Sequence, residues 1–270
     1  MPHNSRMELH FCPLFSGSSG NAVYIAAGET RILIDAGKSG RAIEEALLSI
    51  NVRAADLSAI VITHEHADHI SGAGVLARRH DLPIYANEKT WMAMARDIGK
   101  LTPPQRCIIE NTDAFFIGGL TLRAHSQPHD AADPVGYTIT AGKKSVAVAT
   151  DLGHTTPEII SRIAESDLVL LESNHDEDMV RKGPYPPYLQ KRILGRKGHL
   201  SNGSCGEALI ACVRGGVRHA LLGHLSAENN TPAVAMATVA EKLKAEGIIM
   251  GRDVAVDMTR RDGASGYYIL

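Results

Sequence analysis

Apolar and polar positions along the chain fall into short strand-like runs, broken by glycine-rich turns and by longer stretches of helical period. Leu9, Phe11, Pro13 and Phe15 alternate with His10, Cys12 and Leu14. That is the pattern of an edge strand, because Pro13 has no N–H to give to a ladder. After the loop Ser16-Gly17-Ser18-Ser19-Gly20-Asn21 come two β-like runs, 22–27 and 31–35, split by Gly28-Glu29-Thr30. Helices are expected over 39–50, with Ser39 as cap, over 68–79 and over 88–98, with short strands at 57–63 and 83–85 between them. Strand-like runs dominate 108–150, at 114–117, 120–124, 135–140 and 145–149. A helix at 157–165 and a buried strand at 168–171 follow. Helices at 207–213 and 232–246 and strands at 219–222, 253–258 and 266–270 complete the chain. The strands form two batches, each with helices beside it. This predicts an α/β (α+β) chain built as an αββα sandwich, two sheets covered by helices on their outer faces, in one domain over residues 1–270.

Composition narrows the class without naming it. With 270 residues, 44% hydrophobic and 21% charged, the chain can bury one large core. No stretch approaches the ~20 apolar residues of a membrane helix, and Met1–Arg6 is polar, without the apolar segment of a secretory leader. A net charge of −2 means that any surface for nucleic acid must be local. Cys12, Cys107, Cys205 and Cys212 form no C-x-x-C pair, so they are read as reduced thiols of a cytoplasmic protein. Thirteen histidines are present. The isolated His3, His10, His80 and His219 are read as surface or locally bonded residues, whereas others sit beside aspartates.

The run Thr63-His64-Glu65-His66-Ala67-Asp68-His69 is the sharpest signal. Three histidines and two acids follow an apolar strand, and a strand end aims side chains into a crevice. On a short turn His64 and His66 can face one metal while Asp68 and His69 face a second. Imidazole and carboxylate suit zinc, manganese or iron, and the absence of cysteine speaks against a purely structural zinc site. A merely solvated loop is the plain alternative, but so dense a polar cluster after a buried strand needs partners. Two metals need further ligands. His129-Asp130, Thr150-Asp151 and Gly223-His224 each follow a strand-like run or sit in a polar loop. Singly each is weak, since an Asp after a strand is more often a turn residue.

His64-x-His66-x-Asp68-His69, followed by His129, Asp151 and His224, resembles the five-motif metal site of the metallo-β-lactamase superfamily, over nearly the whole chain. The resemblance implies one metal on His64, His66 and His129 and a second on Asp68, His69 and His224, with Asp151 bridging. His66 speaks against the flavodiiron branch, where an acid usually stands. His125 competes with His129, which is preferred because Asp130-Ala131 and Gly136-Tyr137 follow it. Ser16-Gly-Ser-Ser-Gly-Asn-Ala22, Thr150-Asp-Leu-Gly153, Glu172-Ser-Asn-His-Asp176, Gly198-His-Leu-Ser-Asn202 and His224-Leu-Ser-x-x-Asn-Asn230 resemble the YycJ/WalJ group, single-domain proteins described as 5′-to-3′ exodeoxyribonucleases. The stretch between Asp151 and His224 is too short for the β-CASP insertion of RNase J-type nucleases.

A water shared by two cations becomes a strong nucleophile at neutral pH, its pKa falling from ~15.7 toward ~7. Such a centre suits phosphodiesters, and equally thioesters and lactams, so the metals alone do not choose the substrate. Residues 179–204 help choose. Arg181, Lys182, Lys191, Arg192, Arg196 and Lys197 stand there without an acid, with Tyr185 and Tyr188 interleaved. Cations would track phosphates and tyrosines would stack bases, as in single-strand binders; a solvated basic loop is the alternative. Ser16, Ser18, Ser19 and Asn21, with Ser226, Asn229 and Asn230, are candidate phosphate contacts, and Lys191 and Arg192 candidate strand contacts. Asp68 and Asp151 are expected to be catalytic as well as ligating. His199 and His175 are candidates to protonate the leaving oxygen or to hold a ligand in place. The expectation is a 5′-to-3′ exonuclease on single-stranded DNA. A dinuclear-metal hydrolase of a small ester, thioester or lactam is the alternative, and a non-catalytic metal-binding module a third reading.

Overall fold

The structure, a computed structural model, describes residues 8–270, so Met1–Arg6 and the expectation for His3 lie outside the described residues. Strands β1 (His10–Phe15), β2 (Ala22–Ala27), β3 (Thr30–Ile34), β4 (Ala59–Val61), β5 (Ile84–Asn87) and β6 (Arg106–Ile109) lie side by side in chain order as the first sheet. Strands β7 (Ala114–Ile117), β8 (Leu120–Ser126), β9 (Val135–Ala141), β10 (Lys144–Ala149), β11 (Leu168–Glu172), β12 (His219–Gly223) and β13 (Ala255–Met258) form the second sheet, also in chain order. The last strand, β14 (Tyr268–Ile269), returns to the first sheet outside β1. Helices α1 (Gly40–Ser49), α2 (Ala67–Ile70), α3 (Ala73–His80) and α4 (Glu88–Ile98) connect the first sheet. Helices α5 (Pro157–Ile163), α6 (Glu177–Lys182), α7 (Pro187–Ile193), α8 (Asn202–Gly215) and α9 (Pro232–Ala245) connect the second.

The central strands read as unbroken apolar runs because both of their faces are covered. Val146, Val148, Leu168, Leu170 and Leu221 face the other sheet, where they meet Ile25, Ile32, Ile34 and Val61. Their alternates Ala147, Ala149, Val169, Leu171, Ala220 and Leu222 pack under α5, α8 and α9. The first sheet does the same with Leu33, Ile60 and Ile62 against α1, α3 and α4. The period-two alternation of the backbone thus sorts one sequence pattern into three apolar layers.

Several expectations are corrected. β1 is not an edge strand: β14 pairs with its His10 and Phe11, and Pro13 lies beyond those two pairs. The helix expected over 68–79 is broken between α2 and α3. There Gly72 N–H donates to Ala36 O at 2.8 Å, and a Cβ at Gly72 would lie 2.2 Å from the Lys38 carbonyl. Helix α8 starts at Asn202 rather than 207, because Ser201 caps it by accepting from Ser204 N–H. Strand β6 was not anticipated. All four cysteines are unpaired, three of them buried; His80 and His219 bond locally, to Glu44 and Asp257.

β3 to β6 run parallel, as do β10 to β13, and β8 points the same way as β10 through two antiparallel steps. The carboxyl ends of β3, β4, β8, β10, β11 and β12 therefore open onto one end of the sandwich.

Candidate metal centre

Turns leaving those strand ends, with the chain just before α8, gather six histidines around one aspartate. Asp35, Asp151 and His224, each within two residues of a strand end, take positive φ angles of 62°, 61° and 54°. Non-glycine residues rarely adopt that conformation, and where they do it is commonly at functional turns. Here it turns each side chain off its sheet toward the shared end.

The turn after β4 is held from beneath. Asp35 accepts from Thr63 N–H and Thr63 Oγ1, both at 2.8 Å, and from His69 Nδ1 at 2.8 Å. A Cβ on Gly37 would lie 1.7 Å from the Asp68 carbonyl, so only glycine lets the β3 turn press against this one. Fixed in this way, His69 directs Nε2 at Asp151 Oδ2, 3.1 Å away, and Asp68 Oδ2 lies 3.6 Å from the same nitrogen. His66 Nδ1 stands 3.1 Å from His64 Nε2 and 3.3 Å from His129 Nε2. His129 is oriented by donating from Nδ1 to the Gly198 carbonyl at 2.9 Å. Asp151 Oδ2 lies 3.3 Å from His224 Nδ1, and Oδ1 lies 3.7 Å from both His129 Nε2 and His199 Nδ1.

The donor set suits cations. His64, His66 and His129 can converge on one point, as can His64, His69 and Asp151, and also Asp151, Glu172, His199 and His224. Asp151 Oδ2 and both ring nitrogens of His224 are buried without a hydrogen-bond partner, each an unmet cost of ~1–3 kcal/mol that a bound cation removes. Burial, and then the neighbouring rings of His69, His129 and His66, hold His64 well below the ordinary imidazole value; burial lowers His66 too. Burial alone would raise Asp151, but His224, His69 and His64 outweigh it and keep the carboxylate ionised. Burial opposes a proton on His69, yet Asp151 and Asp35 outweigh it and raise that ring. Neutral rings at His64 and His66 beside the ionised Asp151 form a donor state for divalent metal, and a cation would take the place of the His69 proton.

The remaining expected residues divide. His199 stands at the cluster, its Nδ1 2.8 Å from the fully buried Glu172. Burial would lower it, but Glu172, Asp151 and Asp130 raise it to about 9. His175 stays outside, its Nδ1 3.3 Å from Asn174 Oδ1 and its ring pushed down to about 4 by burial. His125 points away, beside Gln127, onto the α5 side of the second sheet.

Of the short polar residues expected at a phosphate, several are engaged inside the protein. Ser16 Oγ accepts from His224 N–H at 2.9 Å. Asn21 accepts from Gly17 N–H, and its Nδ2 reaches the Asp68 carbonyl and His69 Nε2. Asn230 donates to the carbonyls of Ser173 and Asn174 and exchanges bonds with Asn202. Asn229 is fully buried. Ser16, Asn21 and Asn230 brace the site from within, whereas both side-chain polar atoms of Asn229 are buried without a partner; of the group, only Ser18 and Ser19 are exposed and Ser226 half-buried. Most cations of the basic segment have partners within the protein. Arg181 pairs with Glu177, Lys182 with Asp178 and Arg192 with Asp130, while Arg196 bonds His154. Lys191 and Lys197 remain as exposed cations without an acidic partner among the described residues.

Asp35 and Glu172 were given no role from sequence. Their signal, an acid closing an apolar strand, is the one that marked Asp151.

The sandwich and its strand-end His/Asp cluster define a metal-dependent hydrolase of the metallo-β-lactamase class. The family described as "Beta-lactamase superfamily domain" matches residues 30–225. Exodeoxyribonuclease YycJ of Bacillus anthracis is 38% identical over 245 residues, 91% of this chain and 93% of that protein. Exodeoxyribonuclease WalJ of Streptococcus pneumoniae is 38% identical over 263 residues, 97% and 98% of the two chains. Among solved structures, the metallo-beta-lactamase fold protein YhfI of Bacillus subtilis aligns with a TM-score of 0.74 at 17% identity, covering 97% of this chain and 99% of its own, which speaks to the fold alone. The chain belongs to the YycJ/WalJ group of the metallo-β-lactamase superfamily.

Proposed function

We propose that the chain acts as a single domain over residues 1–270, a phosphodiesterase that digests single-stranded DNA from its 5′ end. The observation that carries this reading is the strand-end cluster, in which Asp151 and His224 keep buried atoms without a partner, in a chain 38% identical over nearly its whole length to proteins named exodeoxyribonucleases. His64, His66 and His129 would hold one divalent cation, Asp68, His69 and His224 a second, with Asp151 between them; zinc and manganese suit these donors, and iron is within their range. Such a pair supplies an activated water and neutralises charge on the attacked phosphate.

The chain's own groups do the rest. Asp35 fixes His69, and Gly198 O fixes His129, so the donors are in place before substrate arrives. His199, held by Glu172 and with its pKa raised to about 9, would deliver its proton to the leaving oxygen. Tyr188, 74% exposed on α7, and the unpaired Lys191 and Lys197 offer a base-stacking face and phosphate contacts beside the cluster. The four unpaired thiols suit a reducing, cytoplasmic setting.

Digestion of single strands in manganese or zinc tests the proposal. Expected are short products released progressively from the 5′ end, faster from 5′-phosphorylated strands, with circular single strands nearly resistant. Circles cut as fast as linear strands would remove the exonuclease reading and leave the phosphodiesterase. Intact DNA and RNA with either metal would remove both.

A further inference from the structure

We propose that the free edge of β6 is the two-fold interface of a homodimer, in which the β6 strands of two copies pair antiparallel about Ile108. β6 ends the first sheet, and no strand among the described residues lies beyond it. Protein edges of this kind are normally blunted by charge, proline or a covering element. Here the centre of the strand is Ile108, 52% exposed. Ile109 turns inward to the layer between the sheets, so Arg106, Ile108 and Glu110 share the other face.

The edge complements itself. When antiparallel strands pair about one residue, positions equidistant from it face each other. Arg106 then meets Glu110 of the partner subunit, Glu110 meets Arg106 of the partner subunit, and the two copies of Ile108 stand opposite one another. Opposite charges across a ladder stabilise it, and like charges oppose it. Neither Arg106 nor Glu110 has an ion-pair partner within its own chain among the described residues. The Arg106 guanidinium is held over the Trp91 ring at 5.4 Å, and Trp91 Nε1 donates to the Cys107 carbonyl at 2.9 Å, fastening α4 beside the strand. Between them runs an apolar groove of about 710 Å³ lined by Trp91, Met92, Ile98, Leu101 and Arg106. Met92 there is 70% exposed, which extends the apolar centre beyond the strand.

The other free edges lack this symmetry. β7 carries the exposed Phe116 but no cation within the strand; Arg123 lies opposite Ala114 at one end of it, on β8. β14 has two residues, and Asp257 of β13 is committed to His219. A second copy is therefore the occupant that the charge pattern of β6 selects, through an isologous contact. It would join the two first sheets into one continuous sheet.

Sedimentation across a concentration series tests this on the full chain. The expected result is a dimer for the unchanged protein and a monomer for Ile108→Lys, with unaltered melting and nuclease activity as the check on folding. Arg106→Glu and Glu110→Arg should each raise the dimer dissociation constant by about tenfold or more, because both ends of the ladder then oppose like charges. Mixing these two variants should restore a heterodimer, since every facing pair is again opposite in charge. A monomer at every concentration overturns the proposal. So does a dimer indifferent to all three substitutions, or a charge-reversed mixture that does not recover.

Discussion

The strand-end cluster and the neighbouring segment 177–199 lie against one another yet are built on opposite principles. The cluster is buried, hangs from six strand ends and leaves key donors without protein partners. The segment is two short exposed helices, α6 and α7, most of whose charges are satisfied at home. Chemistry sits where the sheets make geometry rigid. The segment proposed to meet the substrate sits at the surface, and is joined to the chemistry at a few points such as Gly198 O on His129 Nδ1. Removing a strand-end donor should therefore be catastrophic, and removing a surface cation a matter of degree.

Asp151→Ala should separate the two regions most sharply. Activity should fall to background, and metal analysis should find fewer than two ions per chain while DNA affinity changes little. Two ions retained in that variant would refute the bridging role. His199→Gln is expected to lower DNA hydrolysis by ~10²–10⁴-fold, the range for loss of a positioned proton donor. Metal content should stay unchanged, and hydrolysis of bis(p-nitrophenyl) phosphate, whose leaving group needs no proton, should be nearly normal. Loss of metal instead would make His199 a ligand alongside Asp151, Glu172 and His224. Tyr188→Ala should weaken single-strand binding by about tenfold, the lower end of one base stack, with kcat preserved at saturating DNA; equal affinity would deny the stack. The mildest change, Lys191→Ser with Lys197→Ser, should reduce the slope of log affinity against log salt by about 1 to 2. An unchanged slope would make the segment a solvated surface.

The same contrast explains what could be read from the sequence. The layers were legible because strands buried on both faces must be apolar throughout, and His64-Glu65-His66-Ala67-Asp68-His69 was legible because so many donors cannot follow a buried strand idly. Asp35 and Glu172 were passed over because an acid after a strand is usually a turn residue. What distinguishes them is His69, 34 positions away, and His199, 27 positions away. Ser16, Asn21 and Asn230 looked like free donors because a short polar side chain carries no mark of the direction it faces. The basic run looked unbalanced because Glu177 and Asp178, each one helical turn before its partner, fell just outside the stretch counted.

One feature of the centre reaches beyond chemistry: its donors hang from both sheets. His64, His66, Asp68 and His69 follow β4, while His129, Asp151 and His224 follow strands of the second sheet. Metal–ligand distances near 2 Å tolerate only a few tenths of an ångström. The centre is thus a gauge of assembly. A chain with one sheet formed and the other open holds an incomplete donor set, and a shear of an ångström between the sheets breaks the set in two. With the metals held as proposed, the enzyme is by this construction inert until the whole sandwich has closed.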